Sequence, residues 1–246
     1  VSVHTAGGYF ESILGVDPGA ELRPAHWLTF TEQRLRSLTA GAVFRDDDDE
    51  LATRRAKLRY FPHDPWRYML AAQWRRIAQE EAFMGRCAQV GDELGSRLVA
   101  GRLVRDIMRL CFLMERTYAP YIKWLGTAFR ALDCAAALEP VLLRVVAADN
   151  FHDREGELSA AYEIAAAMHN SLGLTDPLAA AVTRFYDRPY LVISADRFAD
   201  ALRERIVDPD VLALPKHLGS VDQFTDSTDA AGLADRFHPL YENPNR

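Results

Sequence analysis

WRYMLAAQWRRIAQEEAFMGRC, residues 66–87, decides the fold class, and two adjacent glutamates inside it decide where to look for function. At about 100° per residue, Trp66, Leu70, Trp74, Ile77 and Met84 fall on one stripe, spaced by three and four, as in a helix with one buried face. Glu81 falls between Leu70 and Trp74 on that stripe. Glu80 lies at its edge, beside Gln73 and Met69. A carboxylate in such a place must be paired, hydrogen-bonded or protonated, because an isolated buried charge is expensive. Two arrangements meet that demand: a general base or electrostatic anchor facing a pocket, or a structural ion pair with an arginine of a neighbouring helix. The pattern favours the ion pair and leaves the pocket open.

The helix starts at HDPW, with Asp64 as its cap and Pro65 at the first position, and runs to about Cys87. A second long helix spans about Gly91 to Arg116. Val99, Leu103, Ile107, Leu110 and Met114 make its apolar face. Arg102, Arg105, Arg109 and Arg116 make a second stripe into which Leu98, Phe112 and Leu113 are mixed. A helix apolar over most of its circumference is central, so its arginines are not all in free solvent. Arginine forks suit carboxylates and phosphates alike. The stripe is therefore either a phosphate clamp or charge balance for Glu80, Glu81 and Asp106, with Arg102–Asp106 and Glu93–Arg97 as i,i+4 pairs.

Working outward, FTEQRLRSLTAG (30–41) is a short helix capped by Thr31 and stopped by Gly41. RDDDDE (45–50) is a solvated loop that feeds the next helix N-terminus, not a metal site, since adjacent aspartates have no ligand spacing. Pro120 opens a third helix through PYIKWLGTAFRAL, Pro140 lies near the start of a fourth, and residues 153–171, closed by Gly173, form a fifth. DPLAAAVTRFY (176–186) reads as a sixth. PYLVIS (189–194) is a β run, followed by a helix over 196–206. Val1 and Val3 alternate with Ser2 as in a strand. The fold class is mainly α: a helical bundle with a minor β element near the N-terminus and another around 189–194. Residues 1–45 read as the remnant of an N-terminal domain plus a linker, and 46–246 as the helical domain.

YAPYIKWLGTAF (118–129) is a second candidate site. Tyr121, Lys123 and Trp124 cluster after Pro120. A lysine beside aromatics suits a phosphate with a base stacked on a ring, and it equally suits a helix corner with Trp124 in the core. His169 reads as a hydrogen-bonded helix-end histidine. GSVDQFTDSTD (219–229) lacks a strand-borne Asp-x-Asp and reads as a capped loop. No P-loop, dinucleotide fingerprint or G-x-S-x-G is present.

The chain has 246 residues, 49% of them hydrophobic and 26% charged, with a net charge of -6. That balance argues against a general nucleic-acid binder, and no apolar run reaches a membrane span. Three scattered cysteines, Cys87, Cys111 and Cys134, without C-x-x-C suit reduced thiols in a cytoplasm.

WRYMLAAQWRRIAQEEAFMGRC, VGDELGSRLVAGRLVRDIMRLCFLMERTYAPYIKWLGTAF, RPYLVISADRFADAL and LGSVDQFTDSTD resemble the family called domain of unknown function 4037, over most of residues 1–230. The resemblance implies a nucleotidyltransferase-like protein of the polymerase-β type. In such proteins an N-terminal domain carries a Gly-Ser loop and paired acids for two metals, and a helical domain follows. It implies that this chain is the helical, substrate-side part, with VSVHT as the last strand of the other domain. It implies Glu81 or Glu80 as base, with Arg86 as the basic partner, and Arg105, Arg109 and Lys123 as phosphate-side cations. Tyr121 and Trp124 would then be wall or stacking residues. No metal ligand is expected in this chain; magnesium and a nucleoside triphosphate are expected only with the catalytic domain, and a nucleotide or small-molecule acceptor as ligand. The other reading is a non-enzymatic helical binding or regulatory module, dimeric through an apolar helix face.

Overall fold

The computed structural model describes residues 2–225 and 227–242. In chain order its elements are α1 (Ala6–Leu14), α2 (Pro24–Thr29), α3 (Glu32–Thr39), α4 (Glu50–Lys57), α5 (His63–Glu80), α6 (Phe83–Gln89), α7 (Glu93–Met114), α8 (Ile122–Phe129), α9 (Ala135–Ala147) and α10 (Phe151–Ser171). A two-stranded hairpin, β1 (Thr183–Arg184) and β2 (Leu191–Val192), follows, then α11 (Asp196–Glu204), α12 (Pro209–Leu212), α13 (Val221–Phe224) and α14 (Thr228–Gly232). A 3₁₀ segment covers Ala234–Tyr241. The fold is mainly α, as the periodicity requires.

Several elements differ from the sequence reading. The N-terminal strand is absent among the described residues: Ser2–Thr5 are irregular, Val1 lies outside them, and the Thr5 hydroxyl caps α1 by accepting from Gly8 N–H at 3.1 Å. An alternating pair of valines without a partner edge has no ladder to join. The expected helix over 176–186 is irregular chain that contains β1. Asn170 holds it, accepting from Leu178 N–H and donating to Leu178 O, and β1 then pairs antiparallel with β2, Thr183 opposite Val192. Pro140 lies inside α9, which begins five residues before it, at Ala135. Pro140 and Ala136 are both exposed, so the Ala136 carbonyl that loses its helical donor meets water. The first long helix breaks after Glu80, with α6 starting at Phe83. Asp64 does not cap α5; its carboxylate reaches elsewhere in the fold, to the N–H groups of Val207 and Asp208 at 2.9 and 2.8 Å.

The chain divides into two compact units. The first comprises residues up to Met69, Thr117–Leu125 and the chain from Ile206 onward. Its core is aromatic: Phe61 packs edge-on to Trp27 and Tyr118, and Tyr60 stacks on Tyr118 at 5.1 Å. The loop after Gly219 closes as a capping box, Gln223 accepting from Ser220 N–H and donating to Met69 O. Asp226 of that loop lies outside the described residues.

The second unit comprises Leu70–Arg116 and Gly126–Arg205. α10 lies against α7 and α9, and α6 against α7. Trp74 is fully buried, stacked on Phe198 at 4.4 Å and donating its indole N–H to His169 Nδ1 at 3.2 Å. His169 is thus the hydrogen-bonded helix-end histidine that its position suggests. Gly85 is required where it stands, because a Cβ there would lie 2.4 Å from the Tyr190 ring.

Candidate functional site

Glu81 follows α5 directly, its N–H still reaching Ile77 O at 2.8 Å. The side chain is buried, and its partners are main-chain amides, not an arginine. Oε2 accepts from the N–H groups of Ile193 and Ser194 at 2.9 and 3.0 Å, and Oε1 accepts from Ala195 N–H at 3.0 Å. Ser194 has φ +56°, in the left-handed region, and Ala195 is right-handed. That succession converges consecutive N–H groups on one point, an anion-binding concavity. α11 begins one residue later, so the carboxylate also meets the positive end of that helix. Burial pushes the Glu81 carboxyl up to about 7, against the three amides that favour its charged form, and Asp196 adds repulsion.

Glu80 takes the other course. Its Oε1 receives Arg102 Nη2 at 2.5 Å. Arg102 therefore pairs across helices and not with Asp106. Asp106 is wholly buried on α7 and lies 3.6 Å from Arg76 and 3.5 Å from Arg105, while Gln73 donates to its carbonyl at 3.0 Å. The expected Glu93–Arg97 pair forms at 2.8 Å. Asp106 Oδ2, Glu80 Oε2 and the Tyr162 hydroxyl are buried with no hydrogen-bond partner among the described residues. Burial, then the charges of Glu81, Asp106 and Glu80, push the Tyr162 hydroxyl well up. Arg102 and Arg105 of the stripe, with Arg76 of α5, thus lie against a buried acidic patch. Tyr162 was the part of it that periodicity did not single out; Asp106 was expected in the patch, but with Arg102 as its partner.

Of the remaining candidates, Arg109 is half-buried on α7, and Arg86 is exposed on α6 with its guanidinium 6.0 Å from the Phe83 ring. Tyr121, Lys123 and Trp124 belong to the other unit. Side chains of α3 position them: Glu32 accepts from Ala119 N–H at 2.8 Å, Gln33 from Tyr121 N–H at 3.3 Å, and Arg36 donates to Tyr118 O at 3.0 Å. The chain so held delivers α8 with its first turn outward. Tyr121, Ile122, Lys123 and Trp124 are all exposed, and Lys123 Nζ lies 5.2 Å from the Trp124 ring. Trp124 is therefore on the surface and not in a helix corner. A separate cavity of about 340 Å³ in the same unit is lined by Arg23, Asp210, His238 and Tyr241, none of them a residue that the sequence pattern had singled out.

These features define a mainly α-helical protein that spends one glutamate on holding a loop and leaves a cation–aromatic face open. Residues 27–125 match the model of a family described as Domain of unknown function (DUF4037). The match takes in α5, α6 and α7 but not the hairpin or α11, a shorter span than the resemblance over 1–230. No curated protein and no solved structure matches the chain.

Proposed function

We propose that this chain is the helical, ligand-facing module of a nucleotidyltransferase-like protein, and that its own activity is to bind a nucleotide on the α8 face. One observation carries the reading: Tyr121 and Trp124 are exposed beside Lys123, whose ammonium lies over the indole. A base stacks on an aromatic face whatever its identity, and an adjacent lysine meets its phosphates. Glu81 in this reading is a positioning residue for the loop 193–195; the chemistry of transfer, with magnesium, belongs to a catalytic domain of the implied type.

The test uses the protein's own fluorescence. Trp27, Trp66 and Trp74 are 3%, 4% and 0% exposed, whereas Trp124 is 49% exposed. Titration with magnesium-ATP should give saturable quenching that disappears in Trp124→Ala and weakens in Lys123→Ala. A response that is linear in ATP, or identical in Trp124→Ala, would overturn the reading.

A second reading rests on a different observation. Leu94 and Leu98, one turn apart on α7, are 71% and 62% exposed, and Leu143 and Val146 on the adjoining α9 are exposed as well. Exposed apolar side chains of this kind suit self-association. Sedimentation would show a dimer that Leu94→Glu/Leu98→Glu dissolves.

A further inference from the structure

We propose that the cavity of the first unit lined by Arg23 and Asp210 binds a cationic α-amino acid: a small molecule with one carboxylate, which Arg23 takes, and two ammonium groups, which Asp210 and Glu242 take. The cavity, of about 340 Å³, has the volume of a small-molecule site. Its charged groups arrive from three parts of the unit. Arg23 stands immediately before α2, Asp210 lies in α12, and Glu242 follows the 3₁₀ segment. All three are exposed, so a ligand can reach them. Arg23 and Asp210 line the same cavity, yet neither side chain has an ion-pair partner among the described residues. Opposite charges that line one concavity without meeting suit a ligand that carries both signs.

The lining is also held together. His238 Nδ1 lies 3.4 Å from Glu242 Oε1. The His238 ring packs against His26 at 5.2 Å, and His26 Nδ1 accepts from Arg23 N–H at 3.0 Å. One run of contacts, from Arg23 through the two histidines to Glu242, thus ties the cationic side of the cavity to the acidic side. An Nδ1 that accepts carries no proton, so His26 is neutral, and burial holds it below the ordinary histidine range. The apolar part of the lining includes Leu214 and the Tyr241 ring, whose hydroxyl is already committed to Gly219 O at 2.9 Å. One arginine against two carboxylates complements a ligand of net charge +1. The apolar part suits the methylenes between its charged ends.

The experiment titrates the whole chain by calorimetry with L-lysine and with two analogues that each lack one group. Cadaverine lacks the carboxylate, and L-norleucine lacks the side-chain ammonium. Lysine should bind saturably at one site per chain. Each analogue should bind about tenfold more weakly or worse, the effect of losing one charge-assisted hydrogen bond. Arg23→Gln should weaken lysine about tenfold and leave cadaverine unchanged, whereas Asp210→Asn should weaken both. The analogue series on wild type tests the site even where a variant folds poorly. Trp124→Ala should bind lysine as wild type does, which separates this cavity from nucleotide binding on α8. Heat that is linear in lysine, cadaverine binding as tightly as lysine, folded Arg23 and Asp210 variants that bind lysine as wild type does, or loss of lysine binding in Trp124→Ala would each overturn the proposal.

Discussion

At the scale of the residue, the most consequential side chain is Glu81. Its two oxygens serve three amides of a segment more than a hundred residues away, and an amide side chain cannot repeat that. Glu81→Gln keeps one carbonyl oxygen for Ile193 and Ser194 but turns an NH₂ toward Ala195 N–H. It should destabilise the second unit by roughly 1–3 kcal/mol, read as a lower urea midpoint. Glu81→Ala, which leaves three buried amides without an acceptor, should cost more than Gln. Equal stability of wild type and both variants would show that the three amide contacts do not hold the second unit together. Gly85 makes the matching case for shape. A Cβ there meets the Tyr190 ring, so Gly85→Ala should destabilise by about 1–3 kcal/mol, and Tyr190→Ala should relieve part of that cost in the double variant.

The elements show where local pattern and tertiary demand part company. α3 and α10 follow from caps and stops that stand beside them, Thr31 accepting from Arg34 N–H and Asn150 from Asp153 N–H. α9 does not, because it runs through a proline. Its stability comes from Leu138, Val141, Leu142 and Val145, all buried, which outweigh the lost hydrogen bond on the wet face. Pro140→Ala restores a donor to the Ala136 carbonyl and should raise the thermal midpoint, by an amount worth about 1–2 kcal/mol after the entropy that alanine returns to the unfolded chain is subtracted. An unchanged or lower midpoint would show that α9 is strained elsewhere. The stretch 176–186 fails as a helix for the opposite reason: Asn170 and Glu163 bind its amides, and the hairpin claims its end.

Across the whole molecule one device recurs. Acids on helices accept main-chain amides of distant loops: Glu32 takes Ala119, Asp64 takes Val207 and Asp208, Glu115 takes Asp133 and Cys134, and Glu155 takes Leu191. Burial would raise Asp64, but the two amides and Arg67 outweigh it and hold its carboxyl below the ordinary range. Two buried groups make the pH dependence testable. Glu81 holds its proton up to about 7 in the fold, against an ordinary 4.5. Between those values unfolding releases a proton, so its contribution to stability falls as pH rises. Burial pushes His169 down to about 4 from an ordinary 6.5. Between those values unfolding takes up a proton, so its contribution falls as pH drops. The slopes oppose each other from about pH 4.5 to 6.5. Urea midpoints over that range should therefore rise with pH more steeply in Glu81→Gln than in wild type, and less steeply in His169→Gln. Identical profiles in all three proteins would sink the assignment of both groups.

The sequence by itself determined the longest helices and which face of α5 and α7 is apolar, because helical periodicity and most caps are contacts over three or four residues. It also marked Glu80 and Glu81 as acids in need of partners, since a polar group on an apolar stripe is visible without a fold. Only the tertiary structure decided what those partners are. Ile193, Ser194 and Ala195 offer main-chain N–H groups, which every residue but proline possesses, so nothing in their identity announced that they would converge on Glu81. The same holds for Trp124, whose ring could have filled a core: the hydrogen bonds from α3 to residues 118–121 set the direction in which α8 leaves, and that direction turned the ring to water.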